Sequence, residues 1–243
     1  MCFHLSNTKP AQRLEKHFKA NFKTTQNFEP YYHRAAYEDK VLYIIKQSEQ
    51  KRICPAFWGI MPEHLQMNNR HLFLSKNYTY NARVERLFTS TLYQQFIKQQ
   101  RCLIIADGFF EPHKILDRSI PYYFKYQDHS PFAFAGIYSE LIDGSYTATI
   151  ITTVANSFFS NIHNVKKQGT FRMPLVLDPA AEDKWLNTNL DESSVKRLTS
   201  YFTLKTFEAY PVSRDINKGN INTDHAKILD KVNYPELDQL KLF

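Results

Sequence analysis

The chain has 243 residues, 43% of them hydrophobic and 23% charged, which fits soluble folding into one large or two small domains with a sizeable core. Three cysteines with no Cys-x-x-Cys spacing exclude a disulfide framework and a zinc knuckle, and no apolar run approaches the roughly 20 residues that span a bilayer. A net charge of +7 at pH 7 favours a polyanionic partner without naming one.

The N-terminal stretch MCFHLSNTK lacks the apolar core of a signal peptide, so the expected compartment is a reducing cytoplasm. Residues 9–22 predict a helix, with Leu14, Phe18 and Phe22 four apart on one face and Pro10 near its start. Strands are expected over 41–45 and 54–60. A second helix is expected over 90–100, capped by Ser90 and complemented at its C-terminus by Lys98 and Arg101. Residues 102–106, 122–126, 132–138 and 146–153 read as successive strands, rich in aromatic and β-branched side chains. Asp178 with Pro179 opens a short helix ending near Leu186, and Asp191 caps another with Val195, Leu198 and Phe202 on its buried face. A final strand is expected over 203–211, followed by a polar, loop-like tail after Asp215.

Strands dominate the middle without a regular βαβ alternation. This predicts an α+β fold: one domain over 1–243 with a mainly antiparallel, barrel-like sheet flanked by short helices. The aromatic share of 15% predicts an aromatic core, and only 6 glycines suggest that each marks a specific backbone need. Cys54 and Cys102 sit in strand-like runs and are expected to be buried and inert. The histidines show no HxxxH or HExxH spacing, so neither a metal nor another cofactor is expected.

Cys2 directly follows Met1. Removal of Met1 would leave a 1,2-aminothiol, whose amine (pKa about 7.7–8.0) and thiol (about 8.5) are both partly nucleophilic at neutral pH. An aldehyde meeting this pair forms a Schiff base with the amine, and the thiol then closes a thiazolidine ring.

Four further segments stand out: Phe57-Trp58-Gly59-Ile60-Met61-Pro62, Asn81-Ala82-Arg83-Val84-Glu85, the run from Arg101 to Glu111, and Asn161-Ile162-His163 followed after an insertion by Arg172-Met173-Pro174. In this order behind a Cys at position 2, with Pro131–Gly136, Ile151-Thr152-Thr153 and Ala155-Asn156 between them, the chain resembles the SRAP family of SOS-response-associated, abasic-site-processing proteins. The resemblance runs from Cys2 to about Asn222 and leaves 223–243 as a tail. It implies an enzyme that traps the ring-opened aldehyde of an abasic site in single-stranded DNA as a thiazolidine crosslink through Cys2. The matching catalytic positions are Cys2, Asn81, Glu111 and His163. Arg83 matches a position associated with the DNA backbone, and His4, Trp58 and Arg172 are further expected DNA contacts. A monomer is expected, with no membrane partner.

The chemistry of these residue types fits the roles. A carboxylate such as Glu111 can remove a proton from the amine and return it to the departing hydroxyl. His163 titrates near neutral pH, Asn81 offers donors and an acceptor, Arg83 can fork onto a phosphate, and Trp58 can stack on a base. Each also has a plainer reading: a solvated Glu, a core His, a turn Asn, a surface ion-pairing Arg and a core Trp. The chain departs from the family pattern at His4, where many members carry Arg, at Pro112, where a Trp is usual after the Glu, and in the insertion 165–171, whose two Lys and Gly suggest a flexible basic edge to a DNA groove. Strand incision by β-elimination and slow crosslink reversal are possible side activities. The rival readings are an N-terminal-nucleophile hydrolase or Cys peptidase using Cys2 and His163, and a non-covalent single-strand binder.

Overall fold

The computed structural model describes residues 2–23 and 28–239; Met1, and with it the question of its removal, lies outside the described residues. The chain begins with β1 (His4–Asn7), α1 (Ala11–Phe18), β2 (Asn21–Phe22) and β3 (Tyr31–Ala35). The pair β4 (Val41–Lys46) and β5 (Glu49–Trp58) follows, then α2 (Arg70–Lys76) and the short β6 (Asn81–Arg83). After α3 (Gln94–Ile97) come β7 (Arg101–Ala106), β8 (Gly108–Ile115), β9 (Arg118–Tyr126), β10 (Phe132–Glu140) and β11 (Tyr146–Val154). The last part holds α4 (Ser157–Ile162), β12 (Arg172–Pro174), β13 (Val176–Leu177), α5 (Pro179–Trp185), α6 (Glu192–Thr199), β14 (Phe207–Pro211) and α7 (Pro235–Gln239).

Five strands close a ring. Antiparallel pairings run β5–β4–β7–β10–β11, and β11 returns to β5 in a short parallel pairing. Closure removes the edges that an open sheet would leave unpaired. A second, antiparallel sheet packs beside it in the order β14-β9-β8-β1-β3. The apolar runs of β7 and most of β10 are buried on both faces, which is why they read as continuous rather than alternating. A phenylalanine cluster joins the two sheets. Phe109 of β8 stacks on Phe124 of β9 at 5.0 Å and meets Phe134 of β10 edge-on at 5.6 Å, while Phe159 of α4 stacks on Phe124 at 5.2 Å. The α+β, mainly antiparallel, barrel-like architecture expected from the sequence is therefore present.

The N-terminal strand lies inside the second sheet, between β8 and β3, and is not a frayed end. One carboxylate pins it. Asp107, between β7 and β8, accepts hydrogen bonds from Ser6 Oγ (2.7 Å), from the Thr8 amide (3.0 Å) and from the Thr8 hydroxyl. Lys9 Nζ lies 3.5 Å away, and the Asp107 amide donates to the Ser6 carbonyl at 3.1 Å. Gly108 is required beside it. A Cβ there would stand 2.1 Å from the Tyr123 hydroxyl, which itself hydrogen-bonds Ser6 Oγ at 2.9 Å.

Several expected boundaries move. The helix expected over 9–22 ends at Phe18, because Lys19 takes a left-handed conformation (φ 51°); Phe22 instead joins β2 beside β5, its amide held by the Glu15 carboxylate at 2.9 Å. The helix expected over 90–100 contracts to Gln94–Ile97, and Ser90 is not its cap. Arg101 does complement that helix, donating to the carbonyls of Ile97 (3.0 Å) and Lys98 (2.6 Å) from a fully buried position. The strand expected over 54–60 starts at Glu49 and stops before Gly59, whose φ of 104° a side chain would resist. The last strand starts at Phe207 rather than Thr203. Asp178 and Asp191 cap α5 and α6 as expected. The tail after Asp215 is not simply loop. Ile216 and Ile228 pack with Val212 against Phe110 and Tyr123.

Two stability predictions follow from this packing. Gly108→Ala is expected to cost about 1–3 kcal/mol through the clash with Tyr123; an unchanged urea midpoint would contradict it. Burial, helped by Asp183 and Asp178, pushes the Glu182 carboxyl of α5 up to about 8. The fold then favours the neutral acid, and this stability is lost as pH rises from about 4.5 through about 8. Glu182→Gln is expected to keep its Tm across that range, relative to a wild type that declines, as read by a pH series of thermal melts.

Candidate active site

Register builds the site. β1 pairs His4 with Phe110 of β8, so the residues just before His4 run alongside Glu111 and Pro112. Cys2 is fully buried there, its thiol 3.7 Å from the His4 carbonyl. Asn81 Nδ2 donates to the Cys2 carbonyl at 2.9 Å. Only the amide nitrogen can make that bond, so Asn81 Oδ1 is the free acceptor; it is buried and has no hydrogen-bond partner among the described residues. Burial pushes the Cys2 thiol well above its usual value, and the charge of Glu111 adds to the rise.

Glu111 and His163 are both about 2% exposed, with His163 Nδ1 3.3 Å from Glu111 Oε2. His163 follows α4, whose last turn holds its amide through the Phe159 carbonyl at 2.7 Å. Burial lowers the imidazole's pKa and the neighbouring Glu111 charge opposes that; the ring also bonds the backbone of Arg172. The 3.3 Å approach is an ion-pair distance for a protonated ring; His163 Nδ1 is buried and has no hydrogen-bond partner among the described residues. Pro112, the departure after Glu111, faces Pro121 of β9, so two residues without N–H groups lie opposite one another.

Asn81 arrives on β6, which lies parallel to β11 with Asn81 opposite Ile150 and Arg83 opposite Thr152. Arg83 is at the surface, its guanidinium on Gln168 of the insertion. That insertion is a tight hairpin: Lys167 bridges Thr170, with positive φ at Gln168 (51°) and Gly169 (83°). Two left-handed central residues are the signature of a type I′ turn. Lys167 and Val165 face a cleft of about 220 Å³ that Phe3, His4, Glu111 and His163 also line.

Two of the expected DNA contacts are buried within the fold, and the third lines the cleft. Trp58 is 1% exposed, with its indole donating to the Tyr80 carbonyl at 2.8 Å, so no face is open to a base. Arg172 is 1% exposed and committed to Glu85 (2.6 Å) and the Thr152 carbonyl (2.6 Å); it ties the Asn81–Glu85 segment to β11 and β12 and offers no phosphate contact. His4 does line the cleft, but burial lowers its pKa to about 4, so it carries no cationic charge for a phosphate at neutral pH.

The aromatic surface lies on the far side of Phe3 and His4. A cleft of about 470 Å³ there is lined by Tyr37, Arg70, Tyr78 and Tyr80. Tyr37 is 57% exposed and Tyr78 79%. Neither stands out in the sequence, since exposed tyrosines at a helix end and a turn carry no periodic signal. A larger hollow of about 750 Å³ between the β8–β9 turn and α7 is lined by Arg118, Arg214, Tyr234 and Glu236. Its arginines are paired with Glu236 at 2.7 and 3.2 Å, and none of the expected residues lines it.

Residues 1–219 match the sequence profile of the SOS response associated peptidase (SRAP) family. The chain is 29% identical over 213 residues to the abasic site processing protein YoaM of Bacillus subtilis, covering 85% of this chain and 87% of that one. It is 30% identical over 197 residues to the abasic site processing protein YoqW of the same organism, covering 79% and 83%. A crystal structure of a protein from Bacteroides thetaiotaomicron superposes with a TM-score of 0.83 at 26% identity, covering 96% of this chain and all of that one. No helix among the described residues is long and apolar enough to cross a membrane.

Cys2, Cys54 and Cys102 are all buried, and burial raises each thiol pKa, that of Cys54 to about 11. A preparation that retains Met1 is therefore expected to react slowly with a disulfide reagent when native and to yield all three thiols in denaturant; rapid native labelling of Cys2 would contradict this placement.

Proposed function

The chain belongs to the SRAP family, and on that premise we propose that it processes abasic sites by capturing their ring-opened aldehyde in a covalent crosslink. The observation that carries the reading is the convergence of four distant segments on one buried point. Asn81 holds the Cys2 carbonyl at 2.9 Å, and Glu111, whose charge acts on the Cys2 thiol, lies 3.3 Å from His163.

Removal of Met1 frees the Cys2 amine. The amine adds to the aldehyde carbon to give a carbinolamine, with Asn81 Oδ1 positioned to accept from the attacking nitrogen. Loss of the hydroxyl as water needs a proton, which Glu111 supplies, with His163 close by as a second titrating group. The Cys2 sulfur then adds to the imine carbon and closes the thiazolidine. Two hydrogens leave, one from the amine and one from the thiol, and both depart with the carbonyl oxygen as water. The thiol's proton restores Glu111, whose charge neighbours that thiol, so the acid that protonated the leaving hydroxyl is regenerated and no proton is left over.

Single-stranded DNA is the substrate form this surface suits best. A flexible strand can present its aldehyde to a cleft of about 220 Å³ while neighbouring bases stack on Tyr37 and Tyr78. Arg83 and Lys167 offer cationic groups beside the cleft for the backbone.

Cys2→Ala is expected to abolish a heat-stable band on a denaturing gel with an abasic single-stranded oligonucleotide; a yield above roughly half of wild type would reject the reading. Glu111→Gln is expected to slow capture by about 100- to 10,000-fold, the range of general acid–base catalysis. Tyr78→Ala is expected to weaken oligonucleotide binding by about 1–3 kcal/mol, the worth of one stacked base; Trp58→Phe is expected to leave it unchanged.

A further inference from the structure

The insertion 165–171 is held at three points. Asn164, at one foot, pairs with Lys114 of β8 through both side-chain amide atoms, accepting from the Lys114 amide at 2.7 Å and donating to its carbonyl at 2.8 Å. At the other foot the Phe171 carbonyl accepts from the Ala155 amide at 2.9 Å. The tip is held by Arg83, which donates to the Gln168 side chain. Side chains alternate along extended backbone. Val165 and Lys167 accordingly line the smaller cleft, whereas Lys166 lies over the Phe171 ring at 5.2 Å.

The charges along that cleft are unequal. Glu111 brings an anion, and its charge acts on the Cys2 thiol. Burial lowers the His4 pKa to about 4, so the ring carries no charge at neutral pH. It is also engaged elsewhere: its Nδ1 lies 2.8 Å from His33 Nε2, and His33 Nδ1 lies 2.6 Å from Thr223 Oγ1. Burial lowers the pKa of His163 too, and the charge of Lys167 acts on that ring. The rest of the wall is apolar or uncharged, with Phe3, Phe110, Pro112, Pro121, Ile216 and Asn217. Lys167 is thus the one fixed cation among the described residues lining the cleft, and it makes no ion pair with any described residue.

An abasic sugar within a strand carries a phosphodiester on each side. A strand that delivers its aldehyde to Cys2 therefore brings an anion to a cleft that already holds Glu111. Like charges at close range oppose entry unless a cation offsets them. A lysine ammonium is a compact point charge with three donors, suited to a phosphate whose orientation varies along a flexible strand.

We propose that this hairpin is a phosphate clip: Lys167 binds one phosphodiester flanking the abasic sugar and so restricts the site to aldehydes carried on a nucleic acid strand. This rests on the crosslinking reading above and adds a specificity determinant to it. Lys167 is a binding residue in this scheme, while Arg83, Asn164 and Phe171 position the hairpin that carries it.

The test is single-turnover crosslinking over a range of protein concentrations, which separates the half-saturating concentration from the maximal rate. The substrates are an abasic single-stranded oligonucleotide and two versions of it, in which a neutral methylphosphonate replaces the phosphodiester on the 5′ or the 3′ side of the lesion. Lys167→Gln is expected to raise the half-saturating concentration about fivefold and to keep the maximal rate within about twofold of wild type. It also flattens the log–log salt dependence by about 0.7, the share of one phosphate on a single strand. Lys167→Arg restores both. Lys166→Gln removes the same charge from the same hairpin and stays within about twofold of wild type. One of the two methylphosphonates imposes the same loss on wild type, and on that substrate Lys167→Gln costs nothing further. Equal losses in Lys166→Gln and Lys167→Gln, or a Lys167→Gln loss that persists on both methylphosphonates, would overturn the clip and leave the crosslinking reading in place. A lower maximal rate at unchanged half-saturation would also overturn it, by assigning Lys167 to the His163 ring instead of the strand. A wild-type protein that forms no crosslink with any of the three substrates would overturn the crosslinking reading, and the clip with it.

Discussion

The carboxylate of Asp107 is the constraint on which the site depends. It gathers Ser6, Thr8 and Lys9 at the end of β1 and so locks the N-terminal strand between β8 and β3. A chain terminus ordinarily frays, and a reactive residue there would wander. Here the terminal strand is an internal strand of a sheet, with Tyr123 packed over Gly108 as a backstop. Cys2 thereby gains a fixed position beside Glu111. Proximity of this kind replaces an encounter between two mobile groups with a preset geometry.

The ring of five strands supplies the other half. Its strand β11 pairs in parallel with β6, which carries Asn81 and Arg83, and leads through α4 to His163. Arg172, lying on β12 against the same strand, closes this side by binding Glu85 and the Thr152 carbonyl. Two groups thus come from the ring and two from the second sheet, and the phenylalanine joint around Phe109 fixes one sheet against the other. The same arrangement leaves His4 on the wall between two clefts, its Nδ1 2.8 Å from His33 Nε2.

Much of this is legible in the residue order. The α+β class, the strand-rich middle, the caps Asp178 and Asp191 and the grouping of Cys2, Asn81, Glu111 and His163 all follow from local chemistry or from motif resemblance. What escapes depends on burial and register. Trp58 and Arg172 look like surface recognition residues because indole and guanidinium groups serve that purpose, but here the indole N–H donates to the Tyr80 carbonyl and the terminal guanidinium nitrogens to Glu85 and the Thr152 carbonyl, all within the fold. The helix through Phe22 has a sound period, broken by a left-handed Lys19 that no periodicity announces. The link from His4 to His33 and Thr223 spans three distant segments, including a tail whose Ile216 and Ile228 are too widely spaced to signal packing. The histidine at position 4 was visible as a departure; its partners were not.

The central claim is that Cys2 acts as a free aminothiol on an abasic aldehyde. Intact-mass spectrometry of the purified protein and of its adduct with an abasic single-stranded oligonucleotide tests it most directly, with peptide mapping of the attachment point. The account predicts a protein lacking Met1, an adduct equal to protein plus oligonucleotide less one water, and attachment at Cys2. A protein that keeps Met1 yet still crosslinks, or an adduct attached at Lys167 or another lysine, would contradict it.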